Sequence, residues 1–227
     1  MQPLPFTAKI NTVIFDVGHT LLFPDDNFLF QLAQPFSPLS EDKFKLIGAK
    51  TKDQAYRESP EDPFKLWFGK WMTEAGVPAR ELDGVFNAIW DRHNEKHLWS
   101  VLEPSVPHIL SDLRDAGYKL GVISNSDGSV TRLLQDFQLD FFFECILDSA
   151  VVGIEKPDAR IFLQALEALQ SAPAASLYVG DHMIFDINGA QNVGMWAVLL
   201  DPYSLADAAP CPVIQRLSQL KSLLNIK

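Results

Sequence analysis

Four places in this sequence join a short apolar or amphipathic segment to polar residues that could do chemistry. The first is the run Val13-Ile14-Phe15, which ends on Asp16. The polar residues at the four places are Asp16, Ser124 with Asn125, Lys156, and Asp181 with Asp186. Open α/β sheets bind ligands just beyond the carboxyl ends of their parallel strands. We therefore expect these side chains to meet at one edge of a parallel sheet.

These residue types suit phosphoryl transfer, which needs an in-line nucleophile and charge stabilisation on the phosphoryl oxygens. Asp16 can attack phosphorus and form an aspartyl-phosphate. Asp16, Asp181 and Asp186 offer the hard oxygen ligands that Mg²⁺ prefers. Lys156, Ser124 and backbone amides in the turn after Asp16 can contact phosphoryl oxygens. Asp16, Lys156 and Ser124 are thus the predicted catalytic residues. The residues predicted to bind the substrate are Gly18, His19, Thr20, Ser124, Asn125 and Lys156.

Taken singly, each residue has a more ordinary interpretation. An isolated Asp16 is typical of a turn or a helix cap, and Ser124 with Asn125 is typical of turn residues before a helix. A single lysine such as Lys156 is usually a solvated surface residue. Only the common placement of these residues, where predicted strands end or a helix is about to begin, favours a functional site.

The elements that must position them alternate between strand and helix. The predicted strands are 13–15, 119–123, 144–147, 177–179 and 196–200, and the predicted helices are 106–116, 129–137, 159–169, 185–193 and 213–224. Residues 202–212 are predicted to form a loop. This alternation predicts an α/β fold with a doubly wound parallel sheet.

Residues 23–102 interrupt the alternation with aromatics, lysines and apolar residues at helical intervals. We expect an inserted all-helical domain there, and an α/β core domain built from 1–22 and 103–227. Insertion directly after the Asp16 turn favours a lid that controls specificity. Its aromatic residues, expected mainly in the bundle core, are Phe28, Phe30, Phe44, Trp67, Trp71, Trp90 and Trp99.

Composition excludes several classes of protein. A net charge of −10 argues against nucleic acid as the main partner, because phosphate-backbone binding needs clustered Lys and Arg. Cys145 and Cys211 provide neither a disulfide framework nor a metal-ligand spacing, which fits a reducing compartment. The first ten residues lack the pattern of a secretory leader, and no apolar run approaches membrane-spanning length. We expect a cytoplasmic monomer or homodimer with no membrane partner.

In its ordered motifs the sequence resembles the haloacid dehalogenase-like hydrolase superfamily, most of whose members are Mg²⁺-dependent phosphatases. The matching motifs are Asp16-Val17-Gly18-His19-Thr20-Leu21, Ser124-Asn125, Lys156-Pro157-Asp158 with Ile161-Phe162, and Gly180-Asp181 with Asp186. The resemblance covers 9–22 and 102 to about 200, while 23–102 matches only as an insert where the family carries a helical cap. It implies a Rossmann-like core, a small phosphorylated substrate and Mg²⁺. The implied metal ligands are Asp16, the Gly18 carbonyl, Asp181 and Asp186.

The chain departs from the family at Gly18, where the phosphatases usually carry an aspartate that protonates the leaving oxygen and later activates water. The implied metal site is unaffected, because Gly18 keeps its carbonyl. Acid–base assistance, typically worth about 10²–10⁴ in rate, is in question. His19 is a candidate substitute, since imidazole titrates near neutrality, although a turn histidine is the simpler interpretation.

Two alternatives to a phosphatase follow from Gly18. One is a phosphate-pocket binding protein whose catalysis is impaired. The other is an enzyme that cleaves carbon–halogen or carbon–phosphorus bonds, since family members with that chemistry lack the same aspartate. The dehalogenases dispense with the metal site, whereas Asp181 and Asp186 are both present here.

Overall fold

The computed structural model describes residues 9–59 and 63–226. The chain divides into two compact units, Met1–Phe23 with Leu102–Lys227 and Pro24–Val101. Residues 1–8 and 227 of the predicted core domain, and 60–62 of the predicted insert, lie outside the described residues.

The first unit is built on a six-stranded parallel sheet. The strands of the chain are β1 Thr12–Phe15, β2 Leu22–Phe23, β3 Val101–Leu102, β4 Lys119–Ser124, β5 Cys145–Asp148, β6 Ser176–Gly180, β7 Trp196–Leu200 and β8 Val213–Ile214. The sheet order is β5-β4-β1-β6-β7-β8, and β2 and β3 form a separate two-stranded sheet. All four residues of β1 are buried, so both faces of the sheet are covered there. The predicted α/β class with a parallel sheet is confirmed.

The short helix Ser149–Val152 after β5 has no counterpart among the predicted helices. The predicted helices follow the strands of this sheet with two exceptions. The helices of the first unit are α5 Val106–Asp115, α6 Val130–Asp136, α7 Ser149–Val152, α8 Ala159–Ala168, α9 Gly189–Asn192 and α10 Gln219–Leu223. On one face, Ile161 and Phe162 of α8 pack with Ile14, Ile123 and Tyr178 of three strands. This packing fixes the start of α8, and with it the loop that carries Lys156, against the sheet.

One exception is the predicted helix 213–224, which is wrong in its first part. Val213 and Ile214 form strand β8 instead, in register with Leu199 and Leu200 of β7. Two β-branched residues complete the hydrogen bonds of a free strand edge here, and this tertiary pairing outweighs the helical spacing. The helix is confined to α10.

The other exception is the predicted helix 185–193. Residues Met183–Asn188 form a π-helical turn, and only Gly189–Asn192 continue as α-helix. The carbonyl of His182 accepts hydrogen bonds from the backbone N–H groups of both Asp186 and Ile187, at 3.0 and 3.2 Å. The wider turn carries Asp186 back toward the end of β6.

The second unit is helical. It contains α1 Asp26–Ala33, α2 Glu41–Glu58, α3 Pro63–Glu74 and α4 Leu82–Glu95, with a short 3₁₀ turn at Ala79–Glu81. The indole N–H groups of Trp67 and Trp71 donate to the carbonyls of Gly48 and Phe44 on α2, each at 2.8 Å. The side chains of Trp67, Trp71 and Phe44 are buried as expected, whereas Trp90 is 58% exposed.

Across the described residues, no helix combines the length and the apolar character that crossing a membrane requires.

Candidate active site

Asp16 lies directly after β1 and is 6% exposed. Its backbone N–H donates to the carbonyl of Val179 on β6, at 2.9 Å. The chain then turns tightly, because the carbonyl of Val17 accepts hydrogen bonds from the N–H groups of residues 20, 21 and 22. The Thr20 hydroxyl points back to Asp16 Oδ2 at 3.5 Å. The turn thus holds the Asp16 carboxylate at the carboxyl end of the strand.

His19 occupies the left-handed region at φ 59° within this turn. Its backbone N–H donates to the Leu22 carbonyl at 2.7 Å. Its ring meets the Phe23 ring edge to face, with 6.0 Å between the centroids. The role of His19 as a proton donor stays a prediction.

Lys156 joins two of the predicted carboxylates. Its ammonium lies 2.6 Å from Asp16 Oδ1 and 2.7 Å from Asp186 Oδ1. All three side chains are buried, with Lys156 only 4% exposed. Lys156 is 140 positions from Asp16 and 30 from Asp186 in the sequence, yet the three side chains meet at one point. This point lies at the sheet edge where the sequence places them.

Asn125 fixes the main chain of Lys156. Its side-chain amide donates to the Lys156 carbonyl at 3.0 Å, and its carbonyl oxygen accepts from the Lys156 N–H at 2.8 Å. Asn125 follows Ser124, the buried last residue of β4. These bonds show Asn125 positioning the lysine loop, and its predicted contact with substrate stays a prediction.

Asp181 precedes the π-helical turn that follows β6, and Asp186 lies within that turn. Asp186 Oδ2 accepts a hydrogen bond from the His182 backbone N–H at 2.9 Å, while its Oδ1 receives the ammonium of Lys156. A Cβ atom at Gly180 would overlap the Asp186 carboxyl group. Glycine at position 180 is therefore required for this carboxylate to lie against the strand.

Electrostatics at the site are dominated by burial and by the proximity of like charges. Burial raises the pKa of Asp16 from 3.8 to about 7, with Asp186 and Asp181 adding to the rise and Lys156 opposing it. Burial also acts to lower the pKa of Lys156, but Asp16 and Asp186 outweigh this and hold it well above its usual value. Lys156 is therefore a fixed positive charge.

The donor set of this site fits a hard divalent cation. Asp16, Asp181 and Asp186 each offer a carboxylate oxygen, and these oxygens lie within 4.8 Å of one another. Three carboxylates and the Lys156 ammonium leave a net charge of two negative units, which a divalent cation would balance. Such a cation would also favour the ionised form of Asp16.

Two residues that make contacts at the site have no predicted role in the sequence analysis. The Tyr178 hydroxyl accepts from Lys156 Nζ at 3.1 Å. The His182 ring accepts at Nδ1 from the N–H groups of Ile184 and Phe185, at 3.2 and 3.3 Å, which leaves Nε2 as its protonated nitrogen in the neutral form. In the sequence, Tyr178 could have been noticed as a hydroxyl inside an apolar strand, and His182 as a histidine next to Asp181.

Comparison with known proteins decides the family. The family model described as haloacid dehalogenase-like hydrolase matches residues 13–200. The chain belongs to this family. A glyceraldehyde 3-phosphate phosphatase of Pyrococcus furiosus is 34% identical over 199 residues, which are 84% of this chain and 80% of that protein. Both the family and the hydrolase class expected from the motifs are thereby confirmed.

Other haloacid dehalogenase-like proteins extend the comparison. The mouse haloacid dehalogenase-like hydrolase domain-containing protein 3 is 33% identical over 153 residues, which are 67% of this chain and 61% of that protein. This chain therefore spans less than two thirds of the mouse protein's length. A magnesium-bound hydrolase structure from Bacillus subtilis superposes with a TM-score of 0.69 at 23% identity, over 96% of this chain and all of that one. This likeness shows the same fold.

Proposed function

We propose that the protein is a Mg²⁺-dependent phosphatase that acts on a small phosphorylated metabolite through an aspartyl-phosphate on Asp16. The observation that carries this proposal is the buried cluster in which the Lys156 ammonium lies between Asp16 and Asp186, with Asp181 beside them. The relatives named glyceraldehyde 3-phosphate phosphatase support a phosphorylated substrate.

In this proposal an oxygen of Asp16 attacks phosphorus in line, the ester bond to the leaving oxygen breaks, and water then hydrolyses the acyl phosphate. Lys156 stabilises charge on the phosphoryl oxygens and cannot easily lose its own proton, because two carboxylates hold it. Ser124 and the backbone amides of the turn at 18–20 are the remaining proposed donors. Water or an unassigned group supplies the proton that an aspartate at position 18 would have given.

Asp16, Asp181 and the Gly18 carbonyl would hold the Mg²⁺. The ion would neutralise the charge between the nucleophile and the phosphate dianion. Both oxygens of Asp186 accept short hydrogen bonds, from Lys156 and His182 at 2.7 and 2.9 Å, whereas Asp16 Oδ2 has a long contact with the Thr20 hydroxyl at 3.5 Å. We therefore place Asp186 outside the direct ligands, where it orients a bound water. The Bacillus subtilis hydrolase of the same fold binds magnesium, which supports a magnesium ion in the proposed reaction.

The test is hydrolysis of para-nitrophenyl phosphate and of a panel of phosphorylated metabolites, including triose phosphates, with and without Mg²⁺. We expect Mg²⁺-dependent release of phosphate that Asp16→Asn abolishes without loss of the fold. Asp115→Asn, at the exposed end of α5, is the matched control and should retain full activity. Hydrolysis by Asp16→Asn at the wild-type rate would show that Asp16 is not the nucleophile.

The absence of an acid at Gly18 favours two alternative functions. A chain without the acid could bind a phosphorylated ligand without turnover, or cleave a carbon–halogen or carbon–phosphorus bond. Tight binding of inorganic phosphate with no product release would favour the first. Halide release from a 2-haloacid, or phosphate release from a phosphonate, would favour the second.

A further inference from the structure

The Tyr178 hydroxyl is a polar group inside an otherwise apolar cluster. Tyr178 lies in the middle of β6, paired with Ile14 of β1 and Ala197 of β7, and is completely buried. Its ring meets the Phe162 ring of α8 edge to face, with 5.3 Å between the centroids. A phenylalanine would fill this space equally well. Burying a hydroxyl costs free energy unless it is hydrogen-bonded, so its partners indicate what the hydroxyl does.

One partner of the hydroxyl is Lys156 of the candidate active site, and the other directly precedes a predicted site residue. It donates its single proton to the carbonyl of Ile123, at 3.0 Å. Ile123 directly precedes Ser124 at the end of β4. Since that proton is committed, the oxygen presents a lone pair to Lys156 Nζ at 3.1 Å. One atom therefore links the lysine to the strand that carries Ser124.

The Lys156 ammonium has three N–H donors and three acceptors. The acceptors are Asp16 Oδ1, Asp186 Oδ1 and Tyr178 Oη, at 2.6, 2.7 and 3.1 Å. Two of these are carboxylates. In the proposed reaction Asp16 becomes an acyl phosphate and loses its carboxylate charge, so its attraction for Lys156 weakens partway through the cycle. Tyr178 takes no part in bond making, and its hydrogen bond to the ammonium stays unchanged.

We propose that Tyr178 is a positioning residue that holds the Lys156 ammonium in place while the charge on Asp16 changes. This role rests on the proposed phosphatase function. Without the phenol oxygen, the ammonium would follow whichever carboxylate is charged at each step. It would then spend less time at the position from which it stabilises the transferring phosphoryl group.

The first measurement is the kinetics of para-nitrophenyl phosphate hydrolysis by Tyr178→Phe. Removing a hydrogen bond to a charged group should lower kcat by about 10-fold, with a smaller change in KM. Tyr118→Phe is the matched control, because Tyr118 lies just before β4, at the opposite end of that strand from Ser124. It should leave both constants unchanged.

The second measurement does not depend on turnover. In protein labelled with ¹⁵N-lysine, a buried and hydrogen-bonded ammonium gives a resonance of its own, which Lys156→Arg assigns by removing it. We expect a nuclear Overhauser contact between this ammonium and the Tyr178 ring in the wild type, and a shifted or broadened resonance in Tyr178→Phe. A purely structural tyrosine would lower stability without moving either the resonance or kcat.

Absence of the Overhauser contact in the wild type would overturn the proposal, even if Tyr178→Phe does not fold. A Tyr178→Phe variant with unchanged kcat and an unchanged Lys156 resonance would overturn it as well. A wild-type protein that hydrolyses no phosphate ester would refute the phosphatase function, and with it the positioning role. In that case the spectra would still report separately whether the hydroxyl holds the lysine.

Discussion

Replacing Gly48 by alanine should destabilise the protein, although alanine favours a helix. Gly48 lies inside α2, and a Cβ atom there would overlap the indole ring of Trp71. The ring cannot move aside easily. Its N–H donates to Phe44 O at 2.8 Å, and it stacks on Trp67 with 5.5 Å between centroids and 17° between planes.

The magnitude follows from two opposing effects. Glycine to alanine inside a helix is favourable by about 1 kcal/mol. Overpacking a well-packed core costs about 1–3 kcal/mol, and a displaced indole that loses its hydrogen bond adds about 1–3 kcal/mol for the buried group left unpaired. The unfavourable effects together reach about 2–6 kcal/mol and exceed the gain, so we expect a net loss of about 1–5 kcal/mol.

Gly84 provides the matched control for this substitution. It lies inside α4, and a Cβ atom there would meet no atom within 4 Å. Gly84→Ala should therefore show only the helical gain, a stabilisation of about 0.5–1 kcal/mol. The same chemical change is thus expected to have opposite signs at two positions of one unit.

Urea unfolding followed by far-UV circular dichroism measures both variants. We expect the midpoint of Gly48→Ala to fall and that of Gly84→Ala to rise, with unchanged slopes. Equal stabilisation of the two variants would refute the inference that the Trp71 ring is fixed against α2. A fall in both would show that helix propensity does not govern Gly84.

Three further predictions concern single carboxylates and Gly18. Burial raises the pKa of Asp26 from 3.8 to about 6, so the folded state holds this proton more tightly and the wild type loses stability as the pH rises through that interval. By calorimetry, Asp26→Asn should melt a few degrees higher than the wild type at pH 7.5 and at the same temperature as the wild type at pH 3.5. The same difference in melting temperature at both pH values would contradict this. Calorimetric titration should show that Asp181→Ala weakens Mg²⁺ binding more than Asp186→Ala does, and the reverse order would place Asp186 among the direct ligands. Gly18→Asp should speed hydrolysis of alkyl phosphates by about 10- to 1,000-fold and of aryl phosphates much less, because an alkoxide needs a proton to leave. The wild-type log rate is plotted against the pKa of the leaving group. If the slope of this plot is already shallow, another group supplies the proton.

The strands and the position of the site were predictable because both depend on local pattern. Short apolar runs such as 13–15 and 177–179 are buried on both faces of a parallel sheet, and such strands are apolar throughout. Once the strands are parallel, residues that follow them share one edge of the sheet. Asp16 follows β1 and Lys156 lies just before α8, and the two meet there although they are 140 positions apart in sequence.

The remaining features depend on tertiary contacts that no local pattern encodes. The π-helical turn at Met183–Asn188 forms around a carboxylate that Lys156 holds from another loop. Strand β8 exists because β7 offers it a free edge. Tyr178 looks like any core residue until the acceptor carbonyl and the ammonium meet at its oxygen.

The distribution of tryptophan gives the chain an internal optical reporter. Four of the five indoles, Trp67, Trp71, Trp90 and Trp99, belong to Pro24–Val101, and only Trp196 belongs to the α/β unit. Intrinsic emission therefore reports mainly on the helical unit. The stacked rings of Trp67 and Trp71, with 5.5 Å between their centroids, should also add an exciton couplet to the far-UV circular dichroism spectrum. Loss of the couplet before the sheet signal would reveal that the two units melt in separate steps.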